Sequence, residues 1–181
     1  MPASSARSRI PDRPQWPGRP PPDANRLEQT LEALGRELSH THGAAVALGV
    51  EGAPRALAPA LSASLCLIAR EAIFNAFQHA QAQHIQVTLR YDEANFMLFV
   101  RDDGVGVPDE VQDRGGRPGH WGLSGMRERA ELAGIAYRLV SHVGVGTEVE
   151  LSAPAARAYD LSDGAAPRSS RASWWRRRRR P

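Results

Sequence analysis

The spacing of apolar residues changes several times along residues 25–154, and this pattern limits most strongly how the chain can fold. Leucines at helical spacing come first, and later stretches alternate apolar and polar residues as strands do. The order helix, strand, helix, strand, strand, helix, strand, strand is predicted over residues 25–41, 45–50, 57–80, 84–91, 95–102, 123–133, 135–143 and 147–153. Short turns between neighbouring strands favour hairpins. We therefore predict an α/β (α+β) two-layer sandwich, with a mixed, mostly antiparallel sheet and the helices on one face.

Both ends of the chain differ in composition from this central part. Residues 1–24 contain seven prolines and few apolar side chains, which predicts a disordered lead. Residues 155–181 are rich in Ala, Ser and Arg and end in WWRRRRRP, so we expect disorder there as well. The seven arginines after Asp163 exceed the net charge of +3, so the rest of the chain carries net negative charge. The basic tail therefore does not indicate a nucleic-acid-binding fold.

The residue inventory excludes several kinds of site. All 23 basic residues are arginine, which excludes mechanisms that need a lysine, such as a Walker A phosphate site or a Schiff base. Cys66 is the one cysteine, so a disulfide framework and a cysteine-based zinc site are excluded, and its apolar surroundings predict burial. The sequence has neither an apolar run of roughly 20 residues nor a secretory leader. We therefore expect a cytoplasmic chain.

A polar stripe lies beside the apolar face of the long predicted helix over residues 57–80. Glu71, Asn75 and Gln78 recur there at helical spacing and share one side of the helix. A carboxylate and a carboxamide one turn apart can hold a hydrated magnesium ion and orient water or phosphate. A solvated helix flank is the alternative interpretation.

The segment DDGVGVP begins with Asp102, directly after an apolar strand. An inward-facing carboxylate at a strand end can accept a hydrogen bond from an exocyclic amine such as that of adenine. Gly104 and Gly106 would let the backbone approach a flat base closely. An ordinary turn is the alternative, because turns also use Asp and Gly.

Residues 103–122 form a glycine-rich stretch that is too long for an ordinary connection and is therefore a candidate lid. It leads into a helix whose first turn contains Gly122, Leu123 and Gly125, where free N–H groups can bind phosphate. A flexible loop with an N-cap is the alternative. Further on, GVGT could be a simple hairpin turn or could place the Thr147 hydroxyl against a bound base.

Taken together, REAIFNAFQHA, DDGVGVP, GLSGMRERAELAG and GVGTEVEL resemble the ATP-binding domain of the gyrase, chaperone, histidine-kinase and mismatch-repair (GHKL) superfamily. Within it, they look like the sensor histidine kinases of the nitrate/nitrite-sensor type, over residues 27–154. The resemblance implies a Bergerat-type fold, ATP and Mg²⁺ as cofactors, and transfer of the γ-phosphoryl group to a histidine.

The resemblance also implies roles for individual residues. Asn75 matches the asparagine that binds Mg²⁺, and Glu71 matches the acidic residue that orients the attacking group; these two are the implied catalytic residues. Asp102 matches the aspartate that accepts a hydrogen bond from the adenine amine. Further ATP contacts are implied for Gly104, Gly106, Gly122, Leu123, Gly125 and Thr147.

This sequence departs from the family pattern at three points. Gln78 stands where the family usually has Lys or Arg, and Trp121 is bulky for a lid. The phosphoacceptor helix is missing, because neither His40 nor His42 is followed by an acidic residue. The resemblance therefore implies an incomplete protein histidine kinase. Its partners would be a histidine-bearing dimerisation domain, in trans or lost by truncation, and indirectly a response regulator.

Three alternatives to this function remain open at this stage. One is a nucleotide-binding regulatory module without phosphotransfer, which Gln78 and the missing acceptor support. A second is a serine kinase of the anti-sigma type, which shares the fold. The third is binding of nucleic acid or a membrane surface by WWRRRRRP, for which an unselected basic end is the preferred explanation.

Overall fold

The structure, a computed structural model, describes residues 27–108 and 122–160. In chain order the elements are α1 (Leu27–His42), β1 (Ala45–Glu51), α2 (Pro59–Gln78), β2 (His84–Tyr91), β3 (Asn95–Asp102), α3 (Gly122–Ala133), β4 (Ala136–His142), β5 (Gly146–Pro154) and α4 (Ala155–Ala158).

The five strands form one open sheet in the order β1-β2-β3-β5-β4. β1 runs parallel to β2, and the pairs β2–β3, β3–β5 and β4–β5 are antiparallel. The prediction of a mixed, mostly antiparallel sheet is therefore confirmed. The parallel pair is possible because α2 provides the long crossover that parallel strands require.

Alternation along the strands decides which face of the sheet meets the helices. In β2 and β3, every second side chain is buried, including Ile85, Val87, Leu98 and Val100. α2 packs against β3 and β5, α1 packs against β1 and α2, and α3 contacts α2 and β4. This is the predicted two-layer arrangement, with the core between the sheet and the helices.

α2 is the central helix of that core. Proline is favourable in its first turn, because the amide that proline lacks has no partner inside the helix there. Its buried residues are Leu61, Ser62, Leu65, Cys66, Ile68, Ala69, Ala72, Ile73 and Ala76. Cys66 is buried as predicted, and burial raises the pKa of its thiol. The helix is long and apolar enough to be considered as a membrane span, but a buried core helix has the same composition.

The described structure continues past residue 154, where we placed the end of the folded domain. α4 follows β5 directly, and Tyr159 is only 3% exposed. The Tyr159 hydroxyl accepts a hydrogen bond from the Asp92 N–H at 3.1 Å and donates to the Asp92 carbonyl at 2.8 Å. The guanidinium of Arg55 lies 3.6 Å from the centre of the Tyr159 ring. The domain therefore extends at least to Asp160.

We expect Tyr159→Ala to lower the free energy of unfolding by about 3–5 kcal/mol, because a buried ring and its contacts are lost. Tyr159→Phe keeps the ring and should cost about 1 kcal/mol for the hydroxyl. Chemical denaturation of both variants beside the unaltered chain measures this. Equal stability of all three proteins would place the domain end back at residue 154.

Candidate functional site

The predicted site segments meet at one end of the sheet. β3 ends at Asp102, and β5 begins beside it, with Thr147 as the cross-strand partner of Asp102. The last turns of α2, with Glu71 and Asn75, lie against the first residue of α3. The polar stripe of α2, the DDGVGVP segment, the start of α3 and the start of β5 are thus brought together.

Asp102 lies on the helix-facing side of the sheet. Its cross-strand neighbours there are Ile85, which is buried, and Thr147. The carboxylate accepts a hydrogen bond from the Gly104 N–H at 2.9 Å. Burial raises the pKa of Asp102, while hydrogen bonds from the backbone of Gly104 and Thr147 oppose this rise and the nearby charge of Asp103 adds to it. The result is a half-buried hydrogen-bond acceptor.

The two glycines after Asp102 are required by close backbone contacts. A β-carbon on Gly104 would clash with Ala80, in the connection between α2 and β2. Gly106 has a φ of +74°, and a β-carbon there would clash with the carbonyl of His142. These positions therefore admit the backbone alone, and the loop lies directly on that connection and on the end of β4.

Glu71 and Asn75 are half-buried and face the start of α3. A β-carbon on Gly122 would lie 2.8 Å from Glu71 Oε1 and 3.1 Å from Asn75 Nδ2. The first turn of α3, whose N–H groups have no acceptor within the helix itself, thus begins beside a carboxylate and a carboxamide. A β-carbon on Gly125 would meet nothing within 4 Å among the described residues.

This donor set suits a magnesium ion bound together with phosphate. Mg²⁺ prefers oxygen ligands and usually keeps several waters, taking one or two protein oxygens plus phosphate. Asn75 supplies a carboxamide oxygen and Glu71 a carboxylate beside helix amides. Within residues 27–108 and 122–160, no group of three or more His, Cys, Asp or Glu side chains forms a metal cluster. The geometry therefore fits a shared protein–phosphate site better than a metal cage made by protein alone.

Asp103 was not singled out from the sequence, yet it fixes the position of the loop. Its Oδ1 accepts hydrogen bonds from the backbone N–H groups of Gln83 and His84 at 2.8 and 2.9 Å. Its Oδ2 lies 2.7 Å from Nδ1 of His84. The Val105 N–H donates to the Ala80 carbonyl at 2.8 Å. The strand end carrying Asp102 is thereby tied to the connection between α2 and β2.

Ser141 was also missed. It is 5% exposed and lies on β4 as the cross-strand partner of Thr147. Its hydroxyl accepts from the Val107 N–H at 2.8 Å and donates to the Gly146 carbonyl at 3.0 Å. The two hydroxyl oxygens of Ser141 and Thr147 are 2.9 Å apart. The sequence feature that could have identified Ser141 is its place in β4, where an alternating pattern puts this serine on the inward face.

Some predicted features lie outside the described residues. These are most of the candidate lid, with Trp121, the proline-rich lead and the arginine-rich tail. Leu123 is described and is half-buried at the start of α3. Gln78 is exposed at the last residue of α2, on the same side as Glu71 and Asn75.

Comparison with known proteins gives a family match over this same region. The family model described as histidine kinase-, DNA gyrase B- and HSP90-like ATPase matches residues 60–157, more than half of the chain. The nitrate/nitrite sensor protein NarX of Escherichia coli K12 is 35% identical over 123 residues, covering 68% of this chain and 20% of NarX. The oxygen sensor histidine kinase NreB of Staphylococcus carnosus is 38% identical over 89 residues, covering 48% of this chain and 24% of NreB. The chain thus spans a quarter or less of these relatives.

Solved structures show the same architecture. The ATP binding domain of PrrB from Mycobacterium tuberculosis has a TM-score of 0.56 and 24% identity. The match covers 71% of this chain and 93% of that domain. At this identity the likeness concerns the fold, and it confirms the predicted α/β sandwich of Bergerat type.

The contacts of Asp103 make stability depend on pH. Hydrogen bonds from the His84 backbone and ring, and then from Gln83, lower the pKa of Asp103 from 3.8 to about 2. Because the folded pKa is the lower one, this stabilisation is present above about pH 4 and is lost as the pH falls towards 2. We expect the stability gap between the unaltered chain and Asp103→Asn, measured by urea unfolding, to shrink over that range.

Glu93→Gln is the matched control, since Glu93 is exposed in the turn between β2 and β3. Its unfolding free energy should stay within about 0.5 kcal/mol of the unaltered chain throughout. A gap for Asp103→Asn that stays constant down to pH 2 would contradict the assigned role of Asp103.

Proposed function

This chain belongs to the histidine kinase-, DNA gyrase B- and HSP90-like ATPase family, and we propose that it is the ATP-binding catalytic part of a sensor histidine kinase. The match confirms the resemblance to the GHKL superfamily that the motifs carry. In this proposal the domain binds ATP with Mg²⁺, and the γ-phosphoryl group passes to a histidine imidazole on a separate domain while ADP leaves. The similarity to the sensor proteins NarX and NreB supports a sensor kinase of this kind.

The observation that carries the proposal is the meeting of two polar pairs at one end of the sheet. Asp102 and Thr147 are cross-strand neighbours on the helix-facing side. Glu71 and Asn75 lie against Gly122, the first residue of α3, where a β-carbon would come 2.8 Å from Glu71 Oε1. One pair suits a base that carries an amine, and the other suits phosphate with a metal.

At the base end, Asp102 would accept a hydrogen bond from the adenine amine. Gly104 and Gly106 let the loop backbone pack directly against Ala80 and His142, which places the loop beside Asp102. Thr147 would place its hydroxyl beside the same edge of the base. The Gly104 hydrogen bond to Asp102 holds the carboxylate in position before a ligand arrives.

At the phosphate end, Gly122, Leu123 and Gly125 would present the N–H groups of α3 to the phosphates. Asn75 would hold the metal, and Glu71 would orient the attacking imidazole. When bound, Mg²⁺ neutralises charge on the phosphate oxygens. The residues of this chain thus supply position and hydrogen bonds, which is what phosphoryl transfer mainly needs from a protein.

The partners follow from this chemistry. A dimerisation domain bearing the acceptor histidine and, after it, a response regulator are the proposed kinds of partner. We propose a cytoplasmic location for the domain, because the reaction uses ATP. The alternatives of a regulatory module without transfer and an anti-sigma-type serine kinase are not favoured by the relatives found. The arginine-rich tail lies outside the described residues, and any role in binding nucleic acid or membrane stays a minor hypothesis.

Asp102→Asn should weaken binding of a non-hydrolysable ATP analogue by roughly 10- to 100-fold, since the carboxamide replaces a charged acceptor with a group that also donates. Titration calorimetry with and without Mg²⁺ measures this, and circular dichroism checks the fold. Asp92→Asn is the control, because Asp92 lies in the turn at the opposite end of β2. Equal affinity of the Asp102 variant and the unaltered chain would refute the assignment of the base site.

Gln78→Arg should raise the rate of phosphoryl transfer to an added acceptor domain by up to about 5-fold, because it restores a positive charge near the phosphates. The readout is radiolabelled phosphate moved from ATP to a histidine-bearing dimerisation domain of a relative. Gln86→Arg adds the same charge at an exposed position of β2 and should leave the rate unchanged. A rate gain in both variants would mean that net charge, not position, is responsible.

A further inference from the structure

β1 lies at one edge of the sheet. It pairs with β2 on one side, and no strand of the described structure lies on its other side. The Ala45 N–H donates a hydrogen bond to the Gln83 carbonyl, just before β2, at 2.9 Å. Alternate residues of a strand direct their N–H and C=O groups to opposite sides. The backbone groups of Val46, Leu48 and Val50 are therefore directed away from β2.

The side chains of the same three residues form an apolar row on the helix-facing side of the sheet. Their cross-strand neighbours in β2 are all buried. Val46 and Leu48 are partly buried against the core, whereas Val50 is 43% exposed. The edge thus combines backbone hydrogen-bonding groups with apolar surface that the domain covers only in part.

The two edges of the sheet differ in charge. Residues 45–50 contain no charged residue and no proline, which are the features that commonly keep an edge strand from pairing. The opposite edge, β4, carries Arg138, whose side chain is 72% exposed and lies 3.6 Å from Glu150. β1 is therefore the edge better suited to accept a further strand.

We propose that β1 pairs antiparallel with β1 of a second copy of this chain, about a two-fold axis at Leu48. This axis places Leu48 opposite Leu48 of the second copy, and Val46 opposite Val50. Each of these pairs exchanges two N–H···O bonds, so every backbone group directed to the edge has a partner. Their side chains continue the apolar row across the axis and cover Val50.

The charges near the edge are compatible with this pairing. Glu51 faces Ala45 of the second copy, so like charges do not meet across the axis. Oε2 of Glu51 also lies 2.6 Å from Nε of Arg90 in its own copy. An unrelated extended peptide would need a matching pattern of its own, whereas a second β1 has that pattern by symmetry.

The size of the contact makes the association weak. β1 has 7 residues, whereas a standard interface uses about 20–30 residues on each side. We expect a Kd of about 10 μM to 1 mM. Since β1 runs parallel to β2, which begins beside Asp102, the axis directs the candidate sites of the two copies to opposite ends of the joint sheet.

Sedimentation velocity of the full chain, at concentrations from about 10 μM to 1 mM, tests the pairing. Val50→Lys should raise the Kd by about 10-fold or more, because each dimer would then hold two lysines in the apolar row. Val145→Lys is the matched control. It makes the same replacement at a valine that is 63% exposed in the turn between β4 and β5, and it should leave the Kd unchanged.

Cysteine cross-linking with oxidised glutathione tests the position of the axis. In Leu48→Cys the two new cysteines face each other with α-carbons about 5.5 Å apart, a distance that a disulfide can span. In Val46→Cys the new cysteines lie more than about 13 Å apart along the strands. Only Leu48→Cys should form a covalent dimer, and Cys66, which is buried, is common to both variants.

Three outcomes would overturn the proposal. The first is a chain that stays monomeric over the whole concentration range. The second is a dimer that Val50→Lys leaves equally stable, since another surface would then form it. The third is equal cross-linking of Leu48→Cys and Val46→Cys, which decides the matter even if Val50→Lys does not fold. Nucleotide binding is measured separately, and its failure would refute the proposed function while leaving this pairing intact.

Discussion

The hydrogen bonds that Asp103 accepts from Gln83 and His84 hold the loop at the base end of the candidate site in place. They join the end of β3 to the connection between α2 and β2. With that connection fixed, Gly104 packs on Ala80 and the Val105 N–H reaches the Ala80 carbonyl. This one carboxylate thereby joins the loop that follows Asp102 to the connection between α2 and β2.

The two adjacent aspartates, Asp102 and Asp103, lie in different environments. Asp102 points towards the helices, is half-buried, and has a pKa raised by burial. Asp103 lies at the surface, and its hydrogen bonds lower its pKa. Alternation along an extended chain places neighbouring side chains on opposite sides, so one aspartate is available for a ligand while the other supports the loop. The two aspartates of this pair therefore differ in burial, in pKa and in the contacts they make.

The helices and strands are predictable from the sequence because each buries only one of its faces, which spaces its apolar residues regularly. β2 and β3 have the predicted bounds. Apolar and polar residues alternate over His84–Tyr91 and Asn95–Asp102, so only one face of each strand can be buried. The motif residues Glu71, Asn75, Asp102 and Thr147 are likewise recognisable from spacing and resemblance alone. Strand order and the pairing of Asp102 with Thr147 are not, because periodicity says nothing about which strands become neighbours.

The residues that sequence reasoning missed act through contacts distant in the chain. Asp103 stands in an Asp-Gly pair that local rules interpret as a turn, yet its partners lie 19 and 20 residues earlier. Ser141 is an ordinary serine until β5 brings Thr147 and Gly146 against it. The end of the domain was misplaced for the same reason. Composition after residue 154 suggested disorder, whereas Tyr159 packs against Arg55 and Asp92.

The positions of the first and last described residues have a consequence for how such a domain is built into larger proteins. Glu28 accepts a hydrogen bond from Tyr91, and Tyr159 binds Asp92, so α1 begins and α4 ends at the turn between β2 and β3. Asp102 is at the other end of β3, roughly 23 Å away at the usual rise per residue. Polypeptide joined at either residue 27 or residue 160 therefore starts at the end of the sheet opposite Asp102. The domain can thus be joined to other chains, or its two described ends joined by a short linker, at the end away from the candidate site.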